Sequence, residues 1–230
     1  MTIKLYDLAG ADDANRFSPY CWRAKMALAH KSLEYKAIPW RYTEKDTIAF
    51  SGQGSVPVLV DGERVVADSW RIGVYLDEAY PDRPTLIGDE HGKGATLAFK
   101  FWCDRALHPA IMRVVILDLF ASLHEKDKAY FRETREKRFG MTLEELGADP
   151  QKSIAALRKA LDPVRQVFTE QAWIGGPGPS FADYVLFGSL QWPRMVSPKP
   201  LLEPDDPLFA WRERLLDAHG GFARRARAAA

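Results

Sequence analysis

Apolar positions change their period along this chain. Ile3 to Leu8 is a short apolar run suited to a buried strand. After a polar loop, Ser18 stands as a helix N-cap with Pro19 at the first helical position, where a missing N–H costs nothing. Trp22, Met26 and Ala29 then follow at helical spacing, to about His30. Tyr35 to Ile38 reads as a second strand, and Arg41 to Phe50 as a weaker helical or irregular stretch. Between Val56 and Val66, two apolar strands flank Asp61-Gly62, the strongest hairpin signal in the chain. Asp68-Ser69 caps a helix from Trp70 to Ala79, with Ile72, Val74, Tyr75, Leu76 and Ala79 as its apolar positions. The order is β-α-β-(α)-β-β-α. One hairpin closing a βαβ pattern predicts a mixed sheet with helices on its faces.

From Tyr80 to Gly94 the chain turns to Pro, Asp, Gly and Arg, as an interdomain linker does. Everything beyond is helical in pattern. Ala95 to about Leu123 is long and amphipathic, bent or interrupted at Pro109. His124 to Phe139 carries mixed charges at helical spacing, as on a solvated face. Ser153 to Gln171 reads as a further helix and Phe209 to Ala218 as the last. Phe181 to about Trp192 is apolar nearly all round, which predicts a buried central helix. The expected fold is therefore α/β followed by all-α: a sheet domain over residues 1–80, a linker over 81–94 and a helical domain over 95–230.

Composition narrows the function. With 230 residues and 47% hydrophobic content, the chain can build one large core or two small ones. Lys plus Arg (32) nearly balances Asp plus Glu (31), so no net field draws in nucleic acid. The one basic cluster, Arg224-Arg225-Ala226-Arg227, reads as a helix end or tail. No apolar run approaches the roughly 20 residues of a membrane helix, and Met1 to Tyr6 reads directly as a strand, without a signal-peptide layout. Two cysteines make no disulfide framework. The expectation is a soluble cytoplasmic protein with no nucleic-acid or membrane partner.

Three features of the first 80 residues carry candidate chemistry. Ser18 sits at a helix N-terminus, where unpaired N–H groups and the macrodipole favour negative charge. A hydroxyl there can donate to a thiolate and hold its pKa down. Taken alone, it reads as an ordinary N-cap serine. Val56-Pro57 opens a strand; proline cannot donate to a ladder, so an edge or a special turn, plausibly a cis bond, is expected there. That would free the Val56 backbone to pair with an extended peptide. Asp68-Ser69 opens the next helix, so its N–H groups suit a carboxylate and Asp68 an amine, or the pair is simply a cap.

Other groups offer less. Cys21 lies one helical turn after Ser18, and Ser18-Pro19-Tyr20-Cys21 is a Cys-Pro-Tyr-Cys redox pattern without its first, activated cysteine, so Cys21 reads as a small buried residue. Cys103 reads as core or pocket wall. His91, His108 and His124 lack metal-ligand spacing, and no metal is expected. Gly175-Gly176-Pro177-Gly178-Pro179 is a turn without the Lys-Ser or Lys-Thr of a phosphate loop.

Taken together, the three features resemble the cytosolic glutathione transferase family over essentially the whole chain. Gly54-Ser55-Val56-Pro57-Val58-Leu59 resembles its cis-proline segment, and Ala67-Asp68-Ser69-Trp70-Arg71-Ile72 its γ-glutamyl-binding turn. Ser180-Phe181-Ala182-Asp183-Tyr184 resembles its N-capping box. Ser18-Pro19-Tyr20-Cys21-Trp22-Arg23, Trp70 and Phe181-Ala182-Asp183-Tyr184 look like the bacterial β-etherase-type and fungal etherase-related members.

The resemblance implies a thioredoxin-like N-terminal domain, a helical-bundle C-terminal domain, a homodimer, and glutathione as co-substrate in detoxification-type transfer. It implies that Ser18 bonds the glutathione sulfur, that Val56 pairs the cysteinyl backbone beside Pro57, and that Asp68 and Ser69 hold the γ-glutamyl end. Many members carry Lys or Gln before Val-Pro to hold the glycyl carboxylate; here that residue is Ser55, with Gln53, Arg41 or Lys45 as substitutes. A small hydrophobic, aromatic electrophile would sit between the domains against Phe17, Tyr20, Trp102, Leu107, His108, Met112 and Trp192. β-Aryl ether cleavage, non-catalytic glutathione or ligand binding, and disulfide reduction through Cys21 stand as alternatives.

Overall fold

Strand β1 (Ile3–Leu8) pairs in parallel with β2 (Tyr35–Trp40) and antiparallel with β3 (Val58–Asp61), which closes a hairpin with β4 (Arg64–Ala67). The sheet order is β2-β1-β3-β4, the mixed sheet expected from the sequence. The computed structural model describes residues 2–226, 228 and 229; Met1 of the expected first strand and Arg227 of the basic cluster lie outside the described residues. Leu5, Val58 and Leu59 are fully buried, as central strand positions should be. The hairpin turns at Gly62, whose φ of +59° is the left-handed conformation that a tight two-residue turn demands. β2 runs two residues past its expected end, to Trp40, because its register with β1 continues as far as Leu8. Pro39 is accommodated there because β2 is an edge strand.

Helix α1 (Pro19–His30) follows β1, and α2 (Ser69–Ala79) follows the hairpin; the two pack together. Lys45–Ser51 forms a 3₁₀ helix in the stretch expected to be weakly helical. The helical half begins with α3 (Glu90–Trp102), earlier than Ala95, because Asp89 caps it by accepting from the Gly92 amide at 2.8 Å. The long helix expected through Leu123 is broken: Cys103–Leu107 is a π-helical turn, and α4 (His108–Ser122) carries Pro109 in its first turn. Proline has no N–H to donate and its ring crowds the carbonyl one turn back, which the wider turn relieves.

Helix α5 (Glu125–Phe139) matches its charge pattern. The short α6 (Leu143–Leu146), held by a Thr142–Glu145 capping box, was not expected. The single helix expected over Ser153–Gln171 is instead α7 (Pro150–Ala160) and α8 (Asp162–Glu170), hinged at the fully buried Leu161 with Pro163 in the first turn of α8. Helix α9 (Phe181–Val196) is buried all round, as its composition predicts, and runs past Trp192 with Pro193 inside it. Helix α10 (Pro207–Gly221) kinks across Ala218–Gly220.

Helix α9 is what fixes the two halves together. It packs along α1 so closely that a Cβ at Gly188 would lie 2.3 Å from the Pro19 carbonyl oxygen. A Cβ at Gly73 of α2 would likewise meet the Phe181 ring at 2.6 Å. Glycine is therefore required at both positions for close approach, not for backbone freedom.

Candidate active site

Ser18 caps α1 from a non-helical φ of −59° and ψ of 124°, and its Oγ accepts the Cys21 amide at 3.3 Å. Only 3% of the residue is exposed. The Cys21 sulfur is within reach of the hydroxyl hydrogen, which otherwise turns toward the cavity. The Val56-Pro57 bond is cis, as its place at the strand entry led us to expect. The Val56 backbone makes no hydrogen bond to any described residue, whereas the Pro57 carbonyl accepts from the Asp68 amide at 3.2 Å. Asp68 holds a left-handed φ of +81° and gives one carboxylate oxygen to the Trp70 and Arg71 amides, at 2.9 and 3.2 Å. The capping reading of Asp68 is thus real, and it leaves the second oxygen unengaged. The Ser69 hydroxyl beside it is fully buried and has no partner among the described residues.

A cavity of about 250 Å³ opens beside Ser18. Phe17, Ser18, Tyr20, Ser55, Val56, His108, Met112 and Trp192 all line it. Trp102 and Leu107, expected there with His108, do not: Leu107 is core within the π turn, and Trp102 stacks on Phe99 with ring centroids 5.5 Å apart. The π turn rotates them away from the face that carries His108. Gln53 lines a different depression, with Arg64, Trp70 and Arg71. Arg41 is engaged by Asp13 at 2.6 Å and by the Gly10 carbonyl at 3.1 Å. Lys45 makes no ion pair among the described residues; its Nζ lies 4.7 Å from the Tyr130 ring and its Cδ beside Gly54.

Sequence reading missed the opposite wall. Trp40, Tyr42, Tyr130, Arg135, Arg138 and Phe139 line it, four of them on α5, whose charge pattern read only as a solvated face. The available signal was Asp127 on that helix: fully buried, it accepts from the Tyr42 and Thr43 amides at 3.0 Å each and from the Thr43 hydroxyl at 2.7 Å. That clamp holds the loop after β2 against α5.

Tyr20 and His108 form a hydrogen-bonded chain in the cavity lining. His108 Nε2 lies 2.9 Å from Ser189 Oγ and 3.5 Å from the Arg23 guanidinium, and Nδ1 lies 3.2 Å from the Tyr20 hydroxyl. Burial, reinforced by the Arg23 guanidinium, pushes His108 down to about 3, so the ring is neutral at physiological pH. Burial and the Asp104 carboxylate push the Tyr20 phenol up, so it keeps its proton.

Both cysteines are fully buried and unpaired. Burial and the nearby Asp7 carboxylate drive the Cys21 thiol up, and burial pushes Cys103 up to about 12. A thiol-reagent titration of the native protein at pH 8 should modify neither, and both should react after unfolding. Rapid native modification of Cys21 would restore it as a nucleophile. Among the described residues no cluster of His, Cys, Asp and Glu could hold a metal, and no helix is long and apolar enough to cross a membrane.

The family model for the glutathione S-transferase N-terminal domain matches residues 17–79, and that for the C-terminal domain matches residues 95–206. This chain belongs to the glutathione S-transferase family. A crystal structure of a family member from Phanerochaete chrysosporium aligns over all of both chains at 27% identity and a TM-score of 0.79. One from Ceriporiopsis subvermispora, solved in complex with glutathione, shares the fold at a TM-score of 0.86 and 24% identity, covering 96% of this chain and 98% of that one. Glutathione S-transferase Z1 of Arabidopsis thaliana is 42% identical over 74 residues, which cover 30% of this chain and only 34% of that protein, about a third of its length. A probable glutathione S-transferase of Oryza sativa subsp. japonica is 26% identical over 86% of this chain and 80% of its own.

Proposed function

We propose that the protein binds glutathione across Ser18, Val56 and Asp68-Ser69 and directs its thiolate at a small aromatic electrophile. The observation that carries this is the Ser18 hydroxyl, buried at a helix N-terminus and lining an aromatic cavity. A hydrogen bond and the helix dipole both stabilise a thiolate there. The free Val56 backbone pairs the cysteinyl unit beside cis-Pro57, the unpartnered Ser69 hydroxyl and the α2 N–H groups take the γ-glutamyl carboxylate, and the second Asp68 oxygen takes its amine. Lys45, free of ion pairs and set beside Gly54, takes the glycyl carboxylate in place of Gln53 or Arg41. Residues 1–80 supply this half, and the electrophile's pocket lies between them and residues 95–230, in a cytoplasmic homodimer.

The reaction forms a carbon–sulfur bond as the leaving group departs with its electron pair. Calorimetric titration with glutathione, followed by conjugation of 1-chloro-2,4-dinitrobenzene, tests the reading. Saturable binding with turnover is expected, and Lys45→Met should raise the KM for glutathione by about 10-fold, the scale of one charge-assisted hydrogen bond. Binding without turnover on any electrophile would make the protein a ligand carrier. Displacement of an aryloxide from a β-aryl ether is the same step, measured as phenol release.

A further inference from the structure

We infer that the electrophile carries an anionic group, and that Arg138 of α5 binds it across the cavity from Ser18. This rests on the thiolate reading above and adds a substrate class to it. The wall of the cavity contains two guanidiniums, Arg135 and Arg138, and no carboxylate. Neither arginine makes an ion pair among the described residues, whereas Lys126, Lys128 and Arg132 of the same helix are each matched to a glutamate. Arg135 and Arg138 are three residues apart and so share a helix face.

The two cations are placed differently. The Arg135 guanidinium lies over Tyr42 at 5.0 Å and Phe131 at 4.5 Å, and it donates to Thr134 Oγ1 at 2.8 Å. It is a fixed part of the wall. Arg138 is solvent-exposed and lines the cavity; its guanidinium lies 5.6 Å from the Phe139 ring and spends none of its five donors on a hydrogen bond among the described residues. Trp192 supplies a second, independent sign from the facing α9 wall: it is 4% exposed and its indole N–H has no acceptor among the described residues. A buried donor without a partner costs free energy that a ligand acceptor recovers.

Glutathione does not account for these groups, because its two carboxylates and amine are met by Lys45, Ser69 and Asp68. A small ring bearing a carboxylate satisfies the rest. The ring stacks among Tyr42, Tyr130 and Phe139, and the carboxylate accepts from Arg138 and the Trp192 N–H. A cavity of about 250 Å³, at the small end of ligand sites, holds one such ring and not an extended polyaromatic.

The test compares 4-chloro-3-nitrobenzoate with its neutral counterpart, 4-chloro-3-nitrobenzamide. Thiolate attack at the chlorine-bearing carbon releases chloride in both, so each kcat/KM is divided by the uncatalysed rate constant. The benzoate should be favoured by about 10-fold or more, the preference should fall as ionic strength rises, Arg138→Met should abolish it and Arg138→Lys should restore part of it. Equal use of both substrates by the native protein, or a preference that survives in Arg138→Met, overturns the inference. So does an effect of Arg138→Met confined to the KM for glutathione, which would place the arginine at the peptide. Equilibrium binding of 4-nitrobenzoate against 4-nitrobenzamide, without glutathione, reads the anion site even if the transferase reading fails. Tighter binding of the benzoate, lost in Arg138→Met, supports the inference there; equal binding removes it.

Discussion

Replacing Ser18 by glycine should lower kcat/KM for glutathione conjugation by about 10²–10³-fold, the range for losing one preorganised donor to a developing or resident anion. Glycine is the informative choice because it is itself a good N-cap: the helix loses only a few tenths of a kcal/mol, while the Cys21 amide loses its acceptor. Ser18→Thr keeps the hydroxyl and should retain most of the activity. The pH profile separates chemistry from structure. The Ser18 hydroxyl favours the charged thiolate, so removing it raises the pKa of bound glutathione. The rising limb of kcat/KM must then move to higher pH, and the deficit must shrink as the solution becomes alkaline. A variant whose rate falls equally at every pH would show that Ser18 shapes the site without touching the sulfur.

The second large effect is on stability, at Asp183. This fully buried carboxylate accepts from the Ile174, Gly175 and Ser180 amides at 2.9 Å each and from the Trp211 indole at 3.0 Å. It completes a capping box at the start of α9 and ties the preceding turn to α10. Alanine would strand the buried Trp211 indole N–H, at about 1–3 kcal/mol, and at once release three part-buried amides and the α9 cap. We expect Asp183→Ala to lose about 4 kcal/mol or more, a large share of the roughly 5–15 kcal/mol that holds an ordinary domain folded. Urea unfolding reads this as a lower midpoint; a midpoint within about 0.2 M of the parent, given a slope of roughly 1–3 kcal/mol per M, would contradict the assignment. Asp183→Asn, which keeps one acceptor oxygen, should fall between the two.

The fold was legible where local chemistry and tertiary packing agree. Ser18-Pro19, Asp61-Gly62 and Ser180-Phe181-Ala182-Asp183 each state a cap or a turn in a few residues, and each is found where it was expected. Breaks that leave the apolar period intact were harder to see. The π turn at Cys103–Leu107 inserts extra rotation without altering composition, which misplaced Trp102 and Leu107. Leu161 is buried across the hinge between α7 and α8, so one continuous helix looked plausible. Of the cavity, the wall following β1 and the wall on α4 and α9 were legible, because their residues are apolar. The α5 wall was not, because an arginine stacked on Tyr42 and one left unpaired look the same in sequence as arginines in solvent.

The seam over Pro19 bears on how such chains can be recombined. Gly188 leaves just enough space for the Pro19 carbonyl, one residue after the hydroxyl proposed to hold the sulfur, so the placement of Ser18 depends on a position some 170 residues further along. A chimera joining this sheet to a helical half from another family member must carry glycine there. With any larger residue, the graft would shift the first turn of α1 and the hydroxyl with it, even though every residue contacting glutathione had been kept.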